Sequence, residues 1–156
     1  MKANIGLTDS QIAGVVALLN ATLADEYVLY TKTRNCHWNV TGAHFNDLHK
    51  FFESQYDDID GKIDEIAEFI RFTGVKVPAS LGAFLKNTRL KDESGETLHA
   101  SQMIAALLAD HESLIRNLRA DIESATGHGA ADAADFLTGL LEDHEKMAWM
   151  LRSMLE

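Results

Sequence analysis

The 156-residue chain is predicted to be all-α from three observations. Proline occurs once, at Pro78, so almost no position carries the residue that breaks helices. Apolar residues recur at spacings of three and four instead of alternating, which is the period of a helix face and not of a strand. Glycine-bearing breaks at Thr41-Gly42, Thr73-Gly74 and Gly127-His128-Gly129 cut the chain into long segments.

The first helix is predicted from about Asp9 to the neighbourhood of Trp38. Thr8 with Gln11 three residues on is a capping-box signature, and Ile12, Val16, Leu19, Leu23, Tyr27 and Tyr30 form its inward stripe. A second helix runs roughly from Phe45 to Phe72, with Phe45, Leu48, Phe52, Ile59, Ile63, Ile66 and Ile70 on its core side. From Gly74 to Gly95 the periodicity weakens, except for Leu81, Phe84 and Leu85 after Ser80, which predict a short helix within a long crossover. A third helix carries Met103, Ile104, Leu107, Leu108, Leu114, Leu118 and Ile122, and a fourth carries Phe136, Leu137, Leu140, Leu141, Met147, Leu151 and Met154. Four long helices make a bundle. The long second-to-third connection makes it two antiparallel pairs joined by one crossover, the arrangement of ferritin-like folds.

Length and a 46% hydrophobic content fit one domain spanning residues 1–156. Met1 to Leu7 is followed at once by Thr8, Asp9, Ser10 and Gln11, so neither a signal peptide nor a membrane-spanning run is expected, and the location expected is cytoplasmic. Cys36 is the single cysteine, which excludes an internal disulfide framework and a thiolate zinc cluster within one chain. With 24 acidic against 14 basic residues the net charge is −10, unsuited to neutralising nucleic-acid phosphates and suited to attracting cations.

The chemistry is concentrated on the second helix. His49 and Glu53 are four apart, as are Asp64 and Glu68, so each pair lies side by side on successive turns. The eleven-residue step from Glu53 to Asp64 returns within about 20° of its starting direction, which puts all four side chains on one broad face. His49 and Asp64 are nevertheless about 22 Å apart along a straight helix, far beyond ligand distances. If a second copy of this helix packs antiparallel across a two-fold axis near Asp58-Ile59, His49 and Glu53 of one copy face the partner's Asp64 and the partner's Glu68, giving two identical sites per dimer. His37, separated from His49 by one short turn, is positioned to add a second imidazole, although on pattern alone its place in an apolar stripe is more often that of a hydrogen-bonded core histidine. Mixed imidazole and carboxylate ligation suits ferrous iron, with zinc, manganese and cobalt as competitors.

At these residues the sequence resembles the Dps family of miniature ferritins, named for DNA protection during starvation. The likeness is carried by Lys-Thr-Arg-Asn-Cys-His-Trp-Asn-Val from Lys32 to Val40, by Gly42, Phe45 and Leu48-His49, and by the run from Asp57 to Glu68. It continues through Gly74 and Pro78 and resumes from Asp143 to Arg152, so it spans nearly the whole chain. The resemblance implies a hollow homododecamer that binds ferrous iron at two-fold interfaces, oxidises it preferentially with hydrogen peroxide and stores ferric mineral. It implies a ligand set of His37, His49 and Glu53 from one subunit with Asp64 and Glu68 from the other, two irons per site, and Trp38 beside it. The family more often has aspartate at the position of Glu53, and the added methylene alters the balance between the two iron positions. It also implies a three-fold pore lined by acids near the start of the last helix, for which Asp132, Asp135 and Asp143 are candidates. Favourable interaction with the helix dipole fits Asp132 and Asp135 almost as well.

Other motifs are expected to be structural. Glu96-x-x-His99 is a single copy of the motif that larger ferritins use twice for a centre inside one bundle, and it falls at a polar helix start. His111 and His144 fall in apolar stripes and read as hydrogen-bonded interior histidines, while Cys36 reads as a small buried residue. Two rival functions share the fold. DNA compaction is opposed by charge, since twelve copies carry about −120 and only Lys2 precedes the first helix. A catalytically silent structural cage is opposed by the presence of His37, His49, Asp64 and Glu68.

Overall fold

The computed structural model describes residues 3–92 and 98–156. Among these the secondary structure is helical throughout: α1 (Asp9–Asn39), α2 (Phe45–Phe72), α3 (Leu81–Asn87), α4 (Ala100–Gly127) and α5 (Ala131–Ser153). The expected four long helices are present, with the short one in the crossover. Glu96 lies outside the described residues, so the Glu96-x-x-His99 motif is visible only at His99, which is exposed and caps α4 by donating its N–H to Gln102 Oε1 at 2.9 Å.

The sequence signals set the boundaries. The Gln11 Oε1 atom accepts from the Thr8 N–H at 2.9 Å while Thr8 Oγ1 accepts from the Gln11 N–H at 3.3 Å, a reciprocal cap that satisfies donors the first turn leaves free. Between α1 and α2 the chain turns at Gly42, whose φ of 110° is a conformation that side chains disfavour. Short connections leave α1 with α2 and α4 with α5 as the two antiparallel pairs, and α1 also packs on α4 and α3.

That central placement explains one departure from expectation. No membrane-length apolar run was expected, yet α1 contains 18 residues of mean hydropathy 1.5, long and apolar enough to cross a membrane. A helix covered on several sides needs apolar residues around most of its circumference, and 61% of that stretch is buried inside the bundle.

The crossover is tied down by a buried ionic knot. Asp25 of α1, wholly buried, accepts from the Arg89 N–H at 2.6 Å, from Thr88 Oγ1 at 2.9 Å and from Arg89 Nε at 2.8 Å. The same guanidinium reaches Asp121 of α4 through Nη1 at 2.8 Å. One arginine thereby pins the segment after α3 onto both α1 and α4.

A second polar chain crosses the core, as the stripe positions of His111 and His144 anticipated. His144 Nε2 stands 2.7 Å from Glu26 Oε1 and His144 Nδ1 stands 3.0 Å from His111 Nδ1, with all three residues fully buried. Sequence reading did not single out Glu26, although a charged residue among the buried positions of an apolar helix is the signal that marks it. Burial, and secondarily the neighbouring His144, hold the His111 imidazole well below its ordinary range. An unfolded chain takes up that proton as pH drops below about 6.5, so His111 favours the fold above that pH and loses its contribution as pH falls. Between about pH 6.5 and 5.5, stability measured by denaturant unfolding is expected to fall by up to about 1.4 kcal/mol per unit from this residue alone. His111→Gln is expected to remove that slope; an unchanged slope would assign it to other groups.

Candidate metal centre

The end of α1 and the start of α2 bring His37 and His49 together through the Gly42 turn. Their rings stack with centroids 3.8 Å apart, and Phe45 also stacks on His49, at 5.1 Å. Each histidine bonds the other's backbone: His37 Nδ1 to the His49 carbonyl at 2.8 Å, and His49 Nδ1 to the His37 carbonyl at 2.9 Å. A carbonyl can only accept, so both Nδ1 atoms carry hydrogen in the neutral rings and both Nε2 atoms keep a lone pair. This is the second-sphere arrangement that prepares imidazole for a metal ion. The hydrogen-bonded reading of His37 is thus met at Nδ1, an arrangement compatible with ligation through Nε2.

Glu53 is exposed one turn beyond His49, with Tyr56 Oη 3.5 Å from its Oε1. Asp64 and Glu68 are exposed on the same flank of α2, three and four turns further along. Asp64 borders a groove of about 450 Å³ between α1, α2 and α3, with Tyr27, Asp60, Gly61 and Phe84 also on its walls. Among the described residues no three His, Cys, Asp or Glu side chains of one chain converge as a metal-binding group. The two histidines are therefore brought together, whereas Asp64 and Glu68 stay apart from them within the subunit.

Trp38 is 64% exposed, with the Arg34 guanidinium 5.2 Å from its ring centroid. Cys36 is buried, and desolvation, outweighing the lowering by Lys32, pushes its thiol up to about 11, so it is a protonated small residue as expected. Asp132 and Asp135 are exposed in the first turns of α5, while Asp143 lies about 16 Å further along and pairs with Lys62 of α2. Sequence reading passed over Arg34 and Tyr56. Their signal is positional, since Tyr56 follows Glu53 by three residues and Arg34 precedes His37 by three, on the turns that flank the histidines.

Comparison with known proteins agrees with this architecture. The ferritin-like domain model matches residues 16–156. A low temperature-induced protein of Nostoc is 46% identical, covering 99% of this chain and 87% of that protein. DNA protection during starvation protein 2 of Bacillus anthracis is 37% identical, covering 90% of this chain and 96% of that protein. The crystal structure of a Dps protein from Vibrio cholerae, described as a member of a broad superfamily of ferritin-like diiron-carboxylate proteins, superposes with a TM-score of 0.92 at 30% identity, covering 100% of this chain and 98% of that one. With a family model over most of its length and relatives of this identity over nearly all of it, the chain belongs to the Dps family of ferritin-like proteins.

Proposed function

We propose that this protein stores and detoxifies iron, oxidising ferrous to ferric ion at sites built between two subunits and holding the product inside a hollow dodecamer. The observation that carries the reading is the pair of imidazoles, His37 of α1 and His49 of α2, with Nδ1–H groups fixed by backbone carbonyls and Nε2 lone pairs left over, while Asp64 and Glu68 lie on the same flank of α2 as His49 but out of reach. Antiparallel packing of α2 against a second copy completes the set: His37, His49 and Glu53 with the partner's Asp64 and the partner's Glu68. Gly61 supports close packing there. It costs a helix interior about 1 kcal/mol relative to alanine, and its missing Cβ faces open space on this flank.

Iron is the substrate. Imidazole nitrogens and carboxylate oxygens together suit ferrous iron, and anionic oxygens favour the ferric product. Two ferrous ions in one site supply both electrons that hydrogen peroxide needs to become water, which avoids free hydroxyl radical. Asp132, Asp135 and Asp143 are proposed as the acidic lining of a three-fold pore, with Asp143 exchanging Lys62 for a passing cation. Direct DNA binding is proposed to be weak, on charge.

The test is to add ferrous iron anaerobically to the purified protein and follow ferric absorbance after peroxide or oxygen. Oxidation by peroxide is expected to outpace oxidation by oxygen by at least tenfold. A rate no greater than in protein-free buffer would favour the silent cage.

A further inference from the structure

The two imidazoles of the site are fixed by backbone carbonyls, whereas Glu53 is an exposed, long side chain free to take several rotamers. Among the described residues its carboxylate has one hydrogen-bond partner, Tyr56 Oη, 3.5 Å from Oε1. A carboxylate accepts on both oxygens, so Oε1 can take the phenolic hydrogen while Oε2 stays free for a metal ion.

The hydroxyl that meets Glu53 is a fixed point. Tyr56 is buried, its ring meets the His37 ring edge-on with centroids 5.2 Å apart and planes at 81°, and it meets the Tyr30 ring at 6.0 Å and 88°. The Arg34 guanidinium lies 4.4 Å from the Tyr56 centroid and is itself tied down, Nη1 donating to Tyr30 Oη at 2.7 Å. A ring held by these neighbours leaves the phenol only rotation about its C–O bond, and a cation over its face draws electron density from the ring and strengthens the hydroxyl as a donor. Glu53 and Tyr56 are three apart on α2, neighbours on successive turns, so their spacing is set by the helix itself. One tyrosine thereby touches a proposed ligand from each of α1 and α2.

We infer that Tyr56 is a positioning residue of the metal centre: its hydroxyl holds Glu53 Oε1 and turns Oε2 toward the ion bound by the imidazoles. The inference rests on the reading of His37, His49 and Glu53 as ligands. At 3.5 Å the contact is long for a hydrogen bond between oxygens, and it closes when ion binding fixes the carboxylate. No electron or proton leaves the tyrosine in this role.

The experiment titrates the purified, assembled protein anaerobically with cobalt(II), an ion suited to mixed imidazole and carboxylate ligation, by calorimetry with visible absorption read in parallel. The binding component absent from His49→Ala is the one that belongs to the site. Tyr56→Phe keeps the ring against His37 and removes only the hydroxyl; it is expected to weaken that component by about tenfold and to shift its visible band. Glu53→Asp draws the carboxylate back from the hydroxyl, so adding Tyr56→Phe to Glu53→Asp is expected to change affinity by less than about twofold. An unchanged cobalt affinity in Tyr56→Phe overturns the inference. So does an equal loss in both backgrounds, which assigns the effect to packing on His37. Absence of any His49-dependent component in wild type overturns it together with the reading of the metal centre.

Discussion

Asp64→Ala and His49→Ala are each expected to lower the peroxide-driven rate of iron oxidation by about 100-fold or more, since each removes a proposed ligand from every site. The sharper result comes from mixing them. In a dimer of one His49→Ala subunit with one Asp64→Ala subunit, one shared site loses both groups and the other regains both intact. Random pairing of the two variants by co-expression is therefore expected to restore about a quarter of the wild-type rate. A site contained within one chain predicts no recovery, because every subunit then carries a damaged site. The rate in the mixture decides between the two arrangements without requiring a structure of the assembly.

The second large effect falls on stability. Arg89→Met leaves Asp25 and Asp121 without the cation that both face, and Asp25 is wholly enclosed. Removing one partner of a buried ion pair costs about 3–5 kcal/mol, which corresponds to about 10 °C or more in melting temperature for a chain of this size. The control is Arg119→Met, which breaks a pair with Glu145 whose side chains are 61% and 46% exposed, and is expected to cost about 1 kcal/mol or less. Both are to be compared with wild type by thermal unfolding at equal protein concentration, since assembly contributes to apparent stability. Equal losses in the two variants would remove the crossover clamp from the account of what holds the bundle together.

Much of this fold was legible in the sequence because its signals are local. The cap at Thr8 and Gln11, the breaks at Gly42 and Gly74, and the heptad-like stripes each act within a few residues, and the helix limits follow them closely. The polar contacts of the core were less legible. Nothing near Asp25 in sequence announces Arg89, 64 residues away, and Glu26 meets His144 only because α1 and α5 share the interior. For the candidate site, spacing on α2 identified four residues and the disparity in reach pointed to a second copy. What spacing could not supply was the crossed pair of Nδ1–carbonyl bonds, which depends on how tightly the Gly42 turn folds α2 back onto α1. Nor could it distinguish the exposed Trp38, which directly follows His37, from the enclosed Tyr56, two turns after His49, because both are aromatic residues near a histidine in sequence.

The central position of α1 also shapes the order in which the protein can be made. It leaves the ribosome first, and α2 can cover one side of it soon afterwards. The partners of its other side, Arg89, Asp121 and His144, come much later in the chain. At about 5–20 residues per second, the interval between completing α1 and starting α4 is about 3–12 seconds, during which a long, apolar helix with two uncompensated carboxylates waits without its cover. Native burial of α1 is thus a late event in synthesis. Demand for a chaperone is expected to concentrate on nascent chains that end between α2 and α4.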